Sequence, residues 1–208
     1  MYQQRILRHL VKASIMTTKR VGILGGSFNP PHLAHLIMAD QAFHQLQLDE
    51  VRLMPDYLPP HKSGKKTGPF ETRLAMVERI ASHDPHLTVE LTAQKPKQSD
   101  GKSYTVDAVA TLKESEPDVQ FFLIIGGDMV LDLPTWKRID DLRKMIPIVA
   151  FERVGYEKVE PFPLTWLKAP LVAVSSTKVR DMVKAGESIQ YIVPDNVKSY
   201  IEAEELYR

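Results

Sequence analysis

The sequence predicts an α/β fold: a doubly wound, mostly parallel sheet with helices on both faces and a small helical C-terminal part. Strand-like apolar runs alternate with segments of helical period along most of the 208 residues. Turn-forming residues follow three of these runs, at Gly25-Gly26, Gly126-Gly127 and Ser175-Ser176, so strand ends feed directly into helix starts. No internal repeat or low-complexity tract interrupts the alternation.

Lys19-Arg20-Val21-Gly22-Ile23-Leu24 is a short apolar strand, placed near residues 20–25. Leu33 to Leu48 carries apolar residues at helical period with few breakers, which predicts a helix near 31–47. Asn29 suits its N-cap, and Pro30 or Pro31 its first position, where no N–H is needed. A strand near 50–54, a helix near 69–83, a strand near 87–91 and a helix near 103–115 continue the alternation. The unbroken apolar run Phe121-Phe122-Leu123-Ile124-Ile125 reads as a fully buried strand near 119–125. A helix near 134–144, a strand near 146–151 and a last strand near 170–174 follow, the last from the run Leu171 to Val174. Helices near 176–185 and 194–206 close one side.

Composition narrows the class. With 43% hydrophobic residues the chain can build one sizeable core. Lys plus Arg number 27 against 26 Asp plus Glu, a net charge of +1, which argues against a genome-scale nucleic-acid binder. The absence of cysteine excludes disulfides, thiolate metal sites and cysteine nucleophiles, and it fits a reducing cytoplasm. No run approaches the roughly 20 apolar residues needed to span a bilayer. Residues 1–15 read as an extension outside the core, because Met16 directly precedes the first strand and suits a natural start. Arg5, Arg8, His9 and Lys12 with Ile6, Leu7, Leu10 and Val11 could form a short basic amphipathic helix, but a signal peptide's apolar core is missing.

The chemistry concentrates in Gly25-Gly26-Ser27-Phe28-Asn29-Pro30-Pro31-His32-Leu33-Ala34-His35. Glycines at a strand end let a phosphate approach the backbone, and the helix start behind them offers unpaired N–H groups with partial positive charge. His32 and His35, three residues apart, share a helix face near that anion. There they can hydrogen-bond a phosphate oxygen and stabilise charge that develops in a transition state. Gly22, Gly25 and Gly26 do not have the spacing of a dinucleotide-binding turn. Gly101-Lys102-Ser103 ends like a P-loop, but Pro96 stands where the first glycine is needed.

The second cluster is Val174-Ser175-Ser176-Thr177-Lys178-Val179-Arg180. First helical turns favour acidic residues, yet this one carries Lys178 and Arg180 at the positive end of the macrodipole. A bound polyphosphate would supply the missing negative charge, gripped by the planar fork of Arg180, while helix capping is the plain role of the Ser and Thr residues. In Gly126-Gly127-Asp128, Asp128 lies at a strand's carboxyl end, where ligands of open α/β sheets bind. It could accept from ribose hydroxyls, help hold Mg²⁺, or cap the next helix.

These segments resemble the nucleotidylyltransferase superfamily, and in their longer form the bacterial nicotinate mononucleotide adenylyltransferases. His32-Leu33-Ala34-His35 is similar to the superfamily's HxGH signature, with Ala34 in place of its glycine. Val174 to Arg180 is similar to the ISSTxxR motif, and Ile124 to Met129, with Trp136 downstream, to the nucleotide-binding GxD segment. Pro59-Pro60-His61-Lys62 resembles PPHK, Ser103-Tyr104-Thr105 resembles SYT, and Arg153 matches the arginine of an RPG-like segment in which Val154 replaces the proline.

The resemblance implies a Rossmann-like arrangement in a single nucleotidylyltransferase domain over residues 16–208. It implies AMP transfer from ATP to nicotinate mononucleotide, yielding nicotinate adenine dinucleotide and pyrophosphate in NAD biosynthesis. ATP would lie against Gly25, Gly26, Ser27, Phe28, His35, Gly126, Asp128, Ser175, Ser176, Thr177 and Arg180. The mononucleotide would meet Asn29, Lys62, Ser103, Tyr104, Thr105, Trp136 and Arg153, with Trp136 packed on the pyridine ring and His61 nearby. His32, His35 and Arg180 would be catalytic, no metal would be held by the protein, and Mg²⁺ would accompany ATP. The expected setting is cytoplasmic, without nucleic-acid or membrane partners, and a homodimer is compatible with it. Rival readings are an adenylyltransferase acting on nicotinamide mononucleotide or phosphopantetheine, a cytidylyl-transferring relative, and a nucleotide-binding regulator without catalysis. A metal hydrolase is disfavoured, because His32 and His35 lack the i, i+4 zinc spacing and an adjacent acid.

Overall fold

The computed structural model describes residues 18–57, 68–94 and 102–208. Six strands form one sheet in which every pairing is parallel: β1 (Arg20–Gly26), β2 (Glu50–Pro55), β3 (Leu87–Val89), β4 (Gln120–Gly126), β5 (Ile148–Phe151) and β6 (Thr165–Leu167). The order β3-β2-β1-β4-β5-β6 winds outward in both directions from the β1/β4 pair, the doubly wound order expected of alternating β and α elements. Helices α1 (Leu33–Gln45), α2 (Phe70–Ala81), α3 (Thr105–Ser115), α4 (Gly127–Val130), α5 (Ile139–Met145), α6 (Ser176–Lys184) and α7 (Asp195–Ala203) flank it. None of the described helices is long and apolar enough to cross a membrane.

The alternation of side chains along each strand divides the core into two layers. Val21, Ile23, Leu123 and Ile125 face α3 and α5, where Val106, Val109, Leu112 and Leu142 pack. Leu24, Leu53, Phe122 and Ile124 face the other side, against Ala39, Met76, Val77, Val179 and Val197 from α1, α2, α6 and α7. Gly22 lets β1, β4 and the chain before β2 close up. A Cβ there would stand 2.7 Å from Ile124 Cδ1 and 2.8 Å from Leu48 Cδ1.

Three expected elements differ. The last strand is Thr165–Leu167, paired with β5 through Trp166 and Ala150, and not residues 170–174. Pro170 has no N–H to give a ladder, Leu171 is more than half exposed, and the Val174 N–H turns back to the Val172 carbonyl at 2.9 Å. The helix expected near 134–144 is a 3₁₀ turn at Leu133–Thr135 followed by α5, because Trp136 is extended and Arg138 adopts φ +51. The first helix starts at Leu33, with His32 and not Asn29 in the N-cap position, so Pro30 and Pro31 precede the helix.

Candidate active site

A cavity of about 350 Å³ opens where the strand order reverses, between the carboxyl ends of β1 and β4. Its wall begins at Gly25 and Gly26, then runs through Ser27, Phe28 and Asn29 to the two histidines. Phe28 is fully buried and holds φ +48, a region that side chains rarely enter. Its ring packs 5.0 Å from that of His35.

The second junction locks onto the first. The Ser176 hydroxyl donates to the Pro30 carbonyl at 2.8 Å, and Arg180 Nη1 donates to the Asn29 carbonyl at 2.7 Å. Arg180 Nη2 reaches Thr177 Oγ1 at 3.1 Å. Ser175 caps α6 by accepting from the Lys178 N–H at 3.2 Å. Two segments about 150 residues apart in sequence thereby form one wall, with Ser175, Ser176, Thr177 and Arg180 all on the cavity.

His32 and His35 share a helix face as their spacing predicts, with ring centroids 3.8 Å apart. The His32 N–H donates to His35 Nδ1 at 3.2 Å, and a ring nitrogen that accepts carries no proton, so Nε2 is the donating nitrogen of His35. His32 is only 4% exposed, and its Nδ1 has no hydrogen-bond partner. Burial, and after it the guanidinium of Arg153, lowers its pKa to about 4. At neutral pH His32 is thus an uncharged hydrogen-bonding group, and Arg180 supplies the fixed positive charge on this wall.

Asp128 follows β4, in the first turn of α4, and its Oδ2 accepts from Arg153 Nη1 at 2.5 Å. The other oxygen, Oδ1, is buried without a partner and lies 2.6 Å from where a Cβ on Gly126 would stand, so the carboxylate folds back over a glycine. Gly127 is tighter, because its Cβ would meet the Phe151 carbonyl at 2.9 Å.

At the far end Ser103, Tyr104 and Thr105 open α3 and line the cavity beside Trp136. The Ser103 hydroxyl is spent on the Ala93 carbonyl at 2.6 Å. Thr105 begins the helix, so its N–H and that of Val106 have no acceptor within the helix, whereas the Asp107 N–H bonds the Tyr104 carbonyl at 3.0 Å. Lys137 adds a positive charge, its Nζ 4.0 Å from the centre of the Tyr104 ring.

Every singled-out residue within the described regions therefore lines one cavity: His32, His35 and Arg180, the ATP group and the mononucleotide group. His61 and Lys62 lie outside the described residues. Lys137, Asp56, Met54 and Met129 line the cavity and were not singled out in the sequence. Asp56 had a usable signal, since it directly follows Pro55 at the carboxyl end of a strand.

A sheet wound in both directions, with a strand–turn–helix anion site and a paired-histidine helix at its switch point, defines a nucleotidylyltransferase. The family model described as cytidylyltransferase-like matches residues 23–182. Similar proteins include the "probable nicotinate-nucleotide adenylyltransferase" of Enterococcus faecalis, 49% identical over 92% of this chain and 86% of that protein. The protein of the same description from Lactiplantibacillus plantarum is 48% identical over 91% of this chain and 88% of its own length. The chain belongs to the nicotinate-nucleotide adenylyltransferase family. A solved structure with the same fold is the Plasmodium falciparum nicotinic acid mononucleotide adenylyltransferase complexed with NaAD, with a TM-score of 0.74 and 22% identity over 91% of this chain and 97% of that one.

Proposed function

We propose that this protein transfers AMP from ATP to nicotinate mononucleotide, releasing pyrophosphate and forming nicotinate adenine dinucleotide. The observation that carries this reading is the meeting, in one cavity, of the histidine pair, the Ser175–Arg180 junction and the Ser103–Thr105 helix start beside Trp136. The cavity then has a phosphate wall and an end suited to a flat anionic ring.

In the reaction an oxygen of the mononucleotide phosphate forms a bond to the α-phosphorus of ATP while the bond to the β-phosphate bridging oxygen breaks. That phosphate oxygen is already nucleophilic at neutral pH, so the protein's task is positioning and charge stabilisation. The β1–α1 turn and the opening turn of α6 receive the triphosphate. His32, neutral and buried, donates a hydrogen bond at the α-phosphate. His35 presents its Nε2 N–H to charge that builds on the leaving phosphates, and Arg180 and Ser176 hold the pyrophosphate. Asp128 accepts from a ribose hydroxyl through Oδ1, the oxygen that has no hydrogen-bond partner among the described residues. Trp136 packs against the pyridine ring, and the α3 start with Lys137 faces its carboxylate.

Mg²⁺ belongs with ATP as substrate, on the phosphate oxygens. Of the carboxylates on the cavity, Asp128 pairs with Arg153. Incubation with MgATP and nicotinate mononucleotide, with the product identified by mass spectrometry, tests the reading. The dinucleotide and pyrophosphate are expected in equal amounts. ATP binding without pyrophosphate would identify a regulator, and product only with nicotinamide mononucleotide or phosphopantetheine would reassign the acceptor.

A further inference from the structure

Behind the β1–α1 turn, outside the cavity wall, lie a buried arginine and a partly buried tyrosine that the reaction does not use. Arg73 of α2 is 1% exposed, and its guanidinium donates to four oxygens: the Ser27 carbonyl at 2.9 Å, Asp56 Oδ1 at 3.2 Å, the Tyr57 carbonyl at 3.1 Å and the Gly68 carbonyl at 3.1 Å. The same Asp56 takes the Ser27 hydroxyl on its other oxygen at 2.8 Å. Tyr207, beyond α7, donates its hydroxyl to Asn29 Oδ1 at 2.8 Å. Asn29 is itself 6% exposed, and its carbonyl is already held by Arg180.

We propose that Arg73 and Tyr207 are positioning residues, which fix Ser27 and Asn29 from behind so that the turn keeps the shape that receives the nucleotide. Four features support this. Neither residue lines the cavity, so neither is placed to touch substrate. Tyr207 holds φ +67, a conformation that costs a side-chain-bearing residue energy and persists where surrounding contacts demand it. Burial raises the Tyr207 phenol well above its ordinary range, so its hydroxyl remains a donor. A buried guanidinium serving four acceptors is also a poor choice for stability alone, since apolar packing would fill the space without the desolvation cost.

The inference rests on adenylyl transfer at this cavity, and four proteins test it: wild type, Arg73→Lys, Tyr207→Phe and Asn196→Ala. Asn196 is the control, because its amide donates to the Arg79 carbonyl at 2.6 Å and ties α7 to α2 without touching the turn. Melting temperature, ATP affinity by calorimetry, kcat and KM are measured at a temperature where each is folded. Tyr207→Phe is expected to lower kcat/KM about three- to tenfold, the worth of one hydrogen bond. Arg73→Lys, which keeps the charge and loses the fork, is expected to lower it roughly tenfold to a hundredfold. Asn196→Ala should lower the melting temperature and leave kcat/KM unchanged. Wild-type kcat/KM in both folded variants, or an equal loss in Asn196→Ala, would overturn the inference. Should Arg73→Lys not fold, Tyr207→Phe decides alone. Should wild type release no pyrophosphate, the proposed function fails, and the inference is then decided by whether ATP affinity falls in the two variants but not in the control.

Discussion

Arg153 and Asp128 form an ion pair of 2.5 Å at the mouth of β4, and the same guanidinium acts on the buried ring of His32. Asp128 and the first histidine of the pair thus answer to one cation. Arg153→Met should raise the His32 pKa above about 4, yet leave it below 6.5, because burial is the larger cause. An NMR titration of the ring checks this, and an unmoved pKa would contradict the coupling.

His32 also ties stability to pH. Its folded pKa of about 4 lies below the unfolded 6.5, so between those values the unfolded chain binds more protons. Its contribution is therefore complete above about pH 6.5 and is lost as pH falls towards 4, on the order of 3 kcal/mol in all. Denaturation followed from pH 7 to pH 4 should fall more steeply in wild type than in His32→Gln. Parallel curves would show that His32 titrates normally.

His35→Ala removes the Nε2 donor, together with the Nδ1 that accepts the His32 N–H, and leaves the Ser176 and Arg180 bonds to the turn in place. Turnover should fall roughly 10²- to 10³-fold with ATP affinity changed only a few-fold. Comparing single-turnover rates with calorimetric affinities separates the two, and equal turnover would remove His35 from the chemistry.

Gly22 and Gly127 should respond differently to alanine. At Gly22 the new methyl meets the flexible ends of Ile124 and Leu48, so Gly22→Ala should cost about 1–3 kcal/mol of stability with KM for both substrates unchanged. At Gly127 it meets the Phe151 carbonyl, which cannot rotate aside, so the turn carrying Asp128 must move. Gly127→Ala should therefore raise KM as well as lower stability, and an unchanged KM would contradict the placement of Asp128.

Much of this was legible in the sequence because its signals are local. The Gly25–His35 segment folds as a strand end feeding a helix and Val174–Arg180 as a loop feeding one, and the anion logic that singled them out depends only on neighbours in sequence. The run Phe121–Ile125 became a strand buried on both faces, as its unbroken apolar character requires. The errors are also physical. Leu171–Val174 is apolar because Val172 and Val174 pack on the core, not because the segment pairs in a sheet, while Trp166 was hidden between prolines. Arg73 and Tyr207 could not be found at all, since their roles depend on hydrogen bonds to residues distant in sequence. Lys137 sits beside Trp136 and shows its use only once Tyr104 lies beneath it.

The most direct test of the central claim is pyrophosphate release from MgATP with nicotinate mononucleotide or its amide as acceptor, under matched conditions. Release with the acid at a kcat/KM at least roughly tenfold above the amide is expected from a carboxylate facing a helix start and Lys137. No release with the acid, or a preference for the amide, would contradict it.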